Sequence, residues 1–300
     1  MSARIWNRSL LLTALAVAIV SAISVWVAWR ASAEFTARLA GLILAPIFGA
    51  ALISYALRVL RFHYFLSRSG VAMSLPNTLV AQMIGFALAV TPGRVGEVFK
   101  LHLIRERTGT PIAQTAPLLL LERLTEGGGF LLLALASAPL LPALRSRLPM
   151  PALTIVGLAA IVAFALTRDF WSRRVYRADA RLTTSRVWQF CAPHLKNLWA
   201  GLQTSFTPTQ ILGGLLLSTI ARFADGVGVL FAAQMFGVEL ELPEAIFILA
   251  VSGLAGGISF LPAGLGAVET TMIGLLVLVG APWSNALAIA LVMRLFTLWL

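Results

Sequence analysis

Nine ionisable residues interrupt stretches of this chain that are otherwise strongly apolar. They fall in four places along the sequence: Arg94, Glu97 and Lys100; Glu122, Arg123 and Glu126; Arg222 and Asp225; and Glu269. Ionisable side chains inside a membrane-spanning segment are costly, and they mark functional sites by default. An arginine without a carboxylate partner would suit a phosphate group, because its planar fork matches phosphate oxygens in a bidentate way. These residues therefore predict binding of an anionic group.

The spacing of these charges also predicts ion pairs within single helices. Glu122 and Glu126 are four residues apart and share a helix face, while Arg123 precedes Glu126 by three and can pair with it. Arg222 and Asp225 have the same spacing of three. Two interpretations stay open: the charges bind a ligand, or they only lock the helices of a bundle together. The near balance of four positive and five negative groups favours at least some internal pairing.

Two apolar stretches are each broken by a proline, glycines and a carboxylate. The first break contains Pro92, Gly93 and Gly96 beside Arg94 and Glu97, and the second reads Pro262-Ala263-Gly264-Leu265-Gly266-Ala267-Val268-Glu269. Proline removes a backbone donor and glycine relaxes the helix, so both stretches predict broken helices. In hydrocarbon, broken backbone survives only where protein or a wet cavity satisfies it. Such breaks in corresponding places of two halves are typical of a transport-type site near mid-membrane, and the freed helix N-termini would donate to the same anion.

Composition places these residues in a membrane protein. The chain is 59% hydrophobic and 12% charged, with a mean hydropathy of +0.90, whereas soluble domains carry about 25% charged residues. The net charge of +11 fits loops that face anionic lipid headgroups, so nucleic acid is not an expected partner. Cys191 is the single cysteine, and no catalytic set, cofactor motif or metal-ligand spacing is present. We therefore expect neither an enzyme nor a bound metal or cofactor.

The apolar runs predict one integral membrane domain over residues 1–300, an all-α polytopic helical bundle. Six full spans are expected at about 9–29, 39–60, 114–137, 151–167, 209–236 and 284–300. Two interrupted regions, re-entrant or broken, are expected at about 77–104 and 244–280. The first span follows Arg4 and Arg8 and is interpreted as a retained helix, because its apolar run is longer than that of a signal peptide. Gly127–Gly129 are expected to allow close helix contact or a kink, and Gly253 with Gly257 are expected to pack helices closely.

The distribution of charge between the spans predicts their orientation. The N-terminus, a loop at 58–68 and a loop at 168–208 are basic, whereas residues 237–244 are acidic. All three basic segments, and with them the N-terminus, lie in the cytoplasm if region 77–104 returns to the side from which it entered. Region 244–280 then enters from outside, and the two motifs form an inverted repeat, with chance similarity as the alternative. The 168–208 loop is interpreted as amphipathic helices on the inner leaflet or as an ordinary basic loop.

At these motifs the chain resembles the lysylphosphatidylglycerol synthase transmembrane family, also called the flippase-like domain family. The resemblance covers most of the chain. It is carried by Pro92-Gly93-Arg94-x-Gly96-Glu97, by the Glu122-Arg123 pair, and by Pro262-x-Gly264-x-Gly266-x-x-Glu269. It implies a bundle with re-entrant segments in a bacterial cytoplasmic membrane that handles anionic phospholipid or lipid-linked saccharide. The sequence shows no soluble aminoacyltransferase domain, so lysine transfer from tRNA is not expected.

Three functions follow as hypotheses. The first is a lipid flippase or lipid-handling transporter that moves a phospholipid or a polyprenyl-phosphate-type glycolipid, with Arg94 and Arg123 on the phosphate. In this hypothesis Glu97 and Glu269 orient the arginines or meet a cationic headgroup. The second is a non-transporting membrane subunit that presents a lipid to a separate transferase. The third is a polar-solute transporter, which predicts a cavity sealed from lipid. An oligomeric assembly stays open.

Overall fold

The computed structural model describes residues 44–88, 97–141, 202, 205–259 and 261–298, and every regular element in these ranges is helical. The α-helices are α1 Leu44–Arg68, α2 Leu75–Ala87, α3 Val98–Thr108, α4 Ile112–Ser137, α5 Pro208–Met235, α6 Leu242–Ile258, α7 Ala267–Leu278 and α8 Trp283–Leu298. Short 3-10 turns follow α4 at Ala138–Leu140 and precede α7 at Pro262–Gly264. The predicted all-α class is confirmed. The predicted spans at 9–29 and 151–167, and the loop at 168–208 up to residue 201, lie outside the described residues.

Helices α1, α4 and α5 form the centre of the bundle, and glycines allow them to approach closely. A Cβ on Gly214 of α5 would lie 2.4 Å from the Phe65 ring of α1. A Cβ on Gly129 of α4 would lie 3.1 Å from the backbone of Ser218, and one on Gly128 would lie 2.7 Å from Leu215. The packing role predicted for the glycines of α4 is confirmed at these two positions. Around Gly127 the same test finds open space.

Two of the described helices, α1 with 25 residues and α5 with 28, are long and apolar enough to cross a membrane. At the rise of an α-helix, α5 is about 42 Å long. Its start is set locally, because the Thr207 hydroxyl accepts the Gln210 backbone N–H at 3.3 Å and Pro208 occupies the first turn. The predictions at 114–137, 209–236 and 284–300 correspond to α4, α5 and α8.

The predicted basic loop at 58–68 is wrong, because α1 continues through it to Arg68. Apolar residues recur at helical spacing beyond residue 58, and the buried members of this face are Val59, Phe62, Phe65 and Leu66. The arginines that indicated a loop are instead carried by the helix. Arg61 is 1% exposed, whereas Arg68 is exposed at the helix end.

Helices α2 and α3 form a hairpin that starts and ends at the end of the bundle where α1 terminates. Thr78, in the first turns of α2, contacts His63 of α1, with 3.1 Å between Oγ1 and Nδ1. Leu101 and Ile104 of α3 pack in the same core as residues near that end, namely Phe65, Leu66, Val71, Met73 and Phe206. Residues 89–96, which hold Pro92, Gly93, Arg94 and Gly96, connect the two arms and lie outside the described residues.

Helices α6 and α7 form a second hairpin with a described break. The polypeptide passes through the 3-10 turn Pro262–Gly264 between the two arms. Gly264 and Gly266 have φ of 66° and 84°, and Ala263 has φ of 50°, so the helix break predicted at this motif is confirmed. Asn285, which follows the hairpin, donates to the carbonyl of Phe236, which precedes it, at 2.9 Å. The hairpin therefore returns to the end of the bundle from which it starts.

The two hairpins enter from opposite ends of α5. At the start of α5, Gln210 Nε2 donates to Ser69 Oγ at 3.0 Å, which places this end beside the first hairpin. At its other end, Met235 packs with Val238 and Ala281 at the base of the second hairpin. This arrangement agrees with the opposite orientation predicted for the two interrupted regions.

The prediction for Gly253 and Gly257 holds at one position only. A Cβ on Gly253 of α6 would lie 2.4 Å from the Phe130 ring of α4, so this glycine permits close packing. Gly257 has no heavy atom within 4 Å of the equivalent position. The close approach inside the hairpin is made instead by Gly256, where a Cβ would lie 2.3 Å from Val268. The neighbour of Gly257, rather than Gly257 itself, lies on the inward face.

Candidate functional site

Glu122 on α4 is the centre of a fully buried polar cluster. Its Oε1 accepts Arg61 Nη2 of α1 at 3.2 Å and Gln82 Nε2 of α2 at 2.7 Å. Its Oε2 accepts Lys100 Nζ of α3 at 2.5 Å, and Arg61 also donates to Ser218 Oγ of α5 at 2.6 Å. The side chains of Arg61, Lys100 and Glu122 are each 1% exposed. This cluster ties the first hairpin to the central helices and is closed to any ligand.

Glu126, one turn further along α4, forms a second cluster with two arginines. Arg123 Nη1 donates to Glu126 Oε2 at 2.5 Å, and Arg222 of α5 donates to the other oxygen. Arg123 Nη2 also contacts both oxygens of Glu97 at 2.7 Å, and Arg222 donates to Asp225 at 2.8 Å. The i,i+3 pairs predicted for Arg123 with Glu126 and for Arg222 with Asp225 are both present.

The second cluster reaches the surface of the described residues, unlike the first. The Arg123 side chain is 29% exposed and that of Glu126 is 11% exposed. Exposed apolar side chains flank this opening along α4 and at the start of α3: Leu120, Leu124, Val98 and Phe99. A partly exposed arginine next to exposed apolar side chains has the chemistry that an amphiphile with an anionic headgroup requires.

Arg58 of α1 lies beside the second cluster. Aromatic rings contact its guanidinium, whereas the other cations of the cluster are hydrogen-bonded to carboxylates. Its guanidinium lies over the Phe86 ring at 4.2 Å and near the Tyr55 ring at 5.3 Å from the centroids. The nearest carboxylate oxygen is Oε1 of Glu126, 3.8 Å from Arg58 Nη2, which is beyond hydrogen-bonding distance. Within the described residues, no group accepts a hydrogen bond from this guanidinium, and its Nε is buried.

The two clusters together carry one more positive than negative group among the described residues. The cations are Arg58, Arg61, Lys100, Arg123 and Arg222, and the carboxylates are Glu97, Glu122, Glu126 and Asp225. Charged groups removed from water are stable only when paired and hydrogen-bonded. The surplus belongs to the first cluster, where Arg61 and Lys100 share Glu122, whereas the second cluster, counted with Arg58, holds three charges of each sign.

Glu269, at the second break, joins a separate ion pair. Its Oε2 accepts the Gly266 backbone N–H at 2.7 Å, and its Oε1 accepts Arg294 Nε of α8 at 2.5 Å. Arg294 Nη2 also donates to the carbonyl of Ala263 at 2.9 Å. Glu269 therefore fixes the start of α7 and, with Arg294, holds the turn against α8.

The structure brings together seven of the nine predicted charged residues: Glu97, Lys100, Glu122, Arg123, Glu126, Arg222 and Asp225. Glu269 lies in its own pair at the second hairpin, and Arg94 lies outside the described residues. Sequence reasoning missed Arg58 and Arg61 as members of the two clusters, and it missed Arg294 as the partner of Glu269. The signal that could have found Arg58 and Arg61 is their spacing of three within a continuous apolar periodicity.

Comparison with known proteins agrees with a membrane protein. The family described as lysylphosphatidylglycerol synthase TM region matches residues 13–300. A UPF0104 membrane protein of Methanothermobacter thermautotrophicus is 26% identical over 238 residues, covering 75% of this chain and 70% of that protein. A UPF0104 membrane protein of Methanocaldococcus jannaschii is 24% identical over 212 residues, covering 71% of this chain and 88% of that protein.

Proposed function

We propose that this membrane protein, which belongs to the lysylphosphatidylglycerol synthase TM region family, binds the anionic headgroup of a lipid and passes it across the bilayer. The observation that carries the proposal is the Glu126 cluster, in which Arg123 reaches the surface beside exposed apolar side chains. In this proposal the headgroup phosphate meets Arg94 and the exposed side of Arg123, which also holds Glu97 and Glu126, while the acyl chains stay in the membrane.

The two hairpins supply the elements for alternating access. They enter from opposite ends of the bundle, and each has its connection between two short helices. In the proposal both are re-entrant in the bilayer, and movement of one half against the other passes the headgroup between leaflets. The basic ends, including Arg68, face the cytoplasm of a bacterial cytoplasmic membrane, and the acidic residues 239–244 face outward.

The exposed apolar residues around Arg123 favour a lipid over a soluble substrate. Leu120 and Leu124 lie one turn or less from Arg123 on α4 and are 46% and 39% exposed. A polar-solute transporter would be expected to seal its charged residues from the surrounding hydrocarbon. A phospholipid or a lipid-linked saccharide is therefore the substrate class we propose.

Lipid translocation in reconstituted vesicles tests the proposal. We expect wild-type protein to move fluorescent phosphatidylglycerol between leaflets, and Arg123→Gln to lose at least about tenfold in rate, the equivalent of one charge-assisted contact. Arg123→Lys should retain part of the activity, because it keeps the charge but loses the bidentate geometry.

Arg107→Gln is the matched control. It removes the same charge, but Arg107 is exposed at the end of α3. Its rate should equal that of the wild type. A folded wild-type protein that binds lipid without moving it would overturn transport and favour the second candidate, a subunit that presents lipid to a separate transferase.

A further inference from the structure

We infer that Arg58 is a phosphate-binding residue of this site, and that its guanidinium takes an oxygen of an anionic phosphate ester. The inference deepens the proposed function and rests on it for the assignment of the ligand to a lipid. The sequence predicts a loop at Arg58, whereas the structure places this residue within α1 with its side chain 13% exposed, and this position is what suggests the role.

Arg58 differs from every other cation of the two clusters in its hydrogen bonds. Arg61, Lys100, Arg123 and Arg222 each contact a carboxylate oxygen at 3.2 Å or less. A guanidinium has five N–H donors, and for Arg58 no acceptor is found among the described residues. A guanidinium largely removed from water would gain most from a ligand that supplies oxygens.

The aromatic rings around Arg58 position its guanidinium without using its donors. Phe86 and Tyr55 contact the cation through their ring faces, and this cation–π contact is electrostatic. This contact depends on the charge of the guanidinium and takes up none of its N–H donors. The residue is held in place and keeps its hydrogen-bonding capacity.

The neighbouring carboxylate is already engaged by other arginines. Glu126 Oε1, 3.8 Å from Arg58, accepts a hydrogen bond from Arg222, and Oε2 accepts one from Arg123. Arg222 and Arg123 have a further carboxylate each, Asp225 and Glu97. Both oxygens of the carboxylate nearest Arg58 are therefore occupied, and a monoanionic phosphate diester would supply this guanidinium with acceptors that Glu126 does not.

The exposed fraction of its side chain also distinguishes Arg58 from the cations of the first cluster. Its side chain is 13% exposed, whereas those of Arg61 and Lys100 are 1% exposed and closed off. Phe86 lies near the end of α2, and Glu97, the partner of Arg123, immediately precedes α3. Arg58 and Arg123 therefore lie at the two ends of the segment that connects the arms of the first hairpin.

Native mass spectrometry of the purified protein tests the inference, with phosphatidylglycerol, diacylglycerol and inorganic phosphate as separate probes. We expect Arg58→Gln to reduce phosphatidylglycerol occupancy at least about tenfold, and Arg58→Lys to give an intermediate value. Diacylglycerol, which has no phosphate, should bind equally to all variants. Arg68→Gln is the matched control, because Arg68 lies on the same helix, over the Tyr64 ring, and is exposed.

The unfolding temperature without added lipid separates binding from folding. Because Arg58 has no described hydrogen-bond acceptor and is held by cation–π contacts, Arg58→Gln should unfold closer to the wild-type temperature than Arg61→Gln, which leaves Glu122 without one of its partners. Unchanged phosphatidylglycerol occupancy in Arg58→Gln, or a marked loss of its stability, would overturn the inference.

The remaining outcomes distinguish the ligand source and the two proposals. Displacement of phosphatidylglycerol by inorganic phosphate, with protection against unfolding by phosphate alone, would overturn the lipid assignment in favour of a soluble anion. Arg58-dependent binding in a wild-type protein that moves no lipid would support this inference and refute transport.

Discussion

Glu122 neutralises two buried cations at once, Arg61 through one carboxylate oxygen and Lys100 through the other. Gln82 completes the coordination of the same group. Four helices, α1 to α4, therefore meet at a single carboxylate. At this position the interpretation that charges lock the bundle is the better one, because the group is inaccessible from outside.

Glu122→Gln should be strongly destabilising, because it keeps the shape of the side chain but leaves Arg61 and Lys100 without a counter-charge. Loss of one partner of a buried pair costs about 3–5 kcal/mol. We expect a low yield of folded protein and an early thermal transition in detergent. Glu106→Gln is the control, since its pair with His102 is exposed and should contribute less than about 1 kcal/mol. Wild-type stability of Glu122→Gln would refute the locking role.

Residue spacing predicted the ion pairs inside a helix but not those between helices. Arg123 with Glu126, and Arg222 with Asp225, follow from the geometry of one helix turn. The partners of Glu122 come from three other helices, and no local pattern encodes which residues will meet across a bundle. Arg294 with Glu269 is a further example, because α7 and α8 must pack before the pair exists.

At the level of elements, the second hairpin depends on a tight turn between α6 and α7. Gly264 has φ of 66°, and a Cβ there would lie 3.0 Å from Gly256 Cα and 3.1 Å from Val268. Both its backbone conformation and its surroundings therefore require glycine. Ala263 adopts a positive φ without that freedom, and Arg294 contacts its carbonyl.

Gly264→Ala should lower the thermal stability of the protein. The positive φ disfavours a side chain by about 1–2 kcal/mol, and the close backbone leaves no room for relaxation. Gly274→Ala is the control within α7, where a Cβ meets nothing within 4 Å. There alanine should be neutral or stabilising by up to about 1 kcal/mol, because it favours a helix. Equal unfolding temperatures for the two variants would contradict the turn geometry.

Among the described residues, the sequence predicts most helices within a few residues and the break at Pro262–Gly266, because long apolar runs and proline–glycine breaks are local signals. It failed at the end of α1. The arginines there predict a basic loop, whereas the structure places Arg58 and Arg61 inside a helix. An arginine can be predicted inside a buried helix only when its counter-charge is known. For Arg61 that partner is Glu122, which lies 61 residues away on α4.

For the whole molecule, the opposed hairpins give the predicted orientation a direct test. In a Cys191→Ser background, a cysteine at the exposed position Glu239 should react with a membrane-impermeant maleimide in intact cells. A cysteine at Ser67, exposed near the opposite end of the bundle, should react only after the membrane is opened. This expected labelling rests on the excess of arginine at the end of the bundle that contains Ser67. Reversed labelling of the two sites would invert the topology and place the first hairpin on the outer side.

The contact of Arg294 with Glu269 and Ala263 sets an order of events during biosynthesis. A ribosome makes the α6–α7 hairpin before it makes α8, so Glu269 emerges without the arginine that will neutralise it. The hairpin can settle fully only once residue 294 has been synthesised and α8 has docked. A nascent chain arrested before α8 would therefore carry Glu269 without its arginine partner.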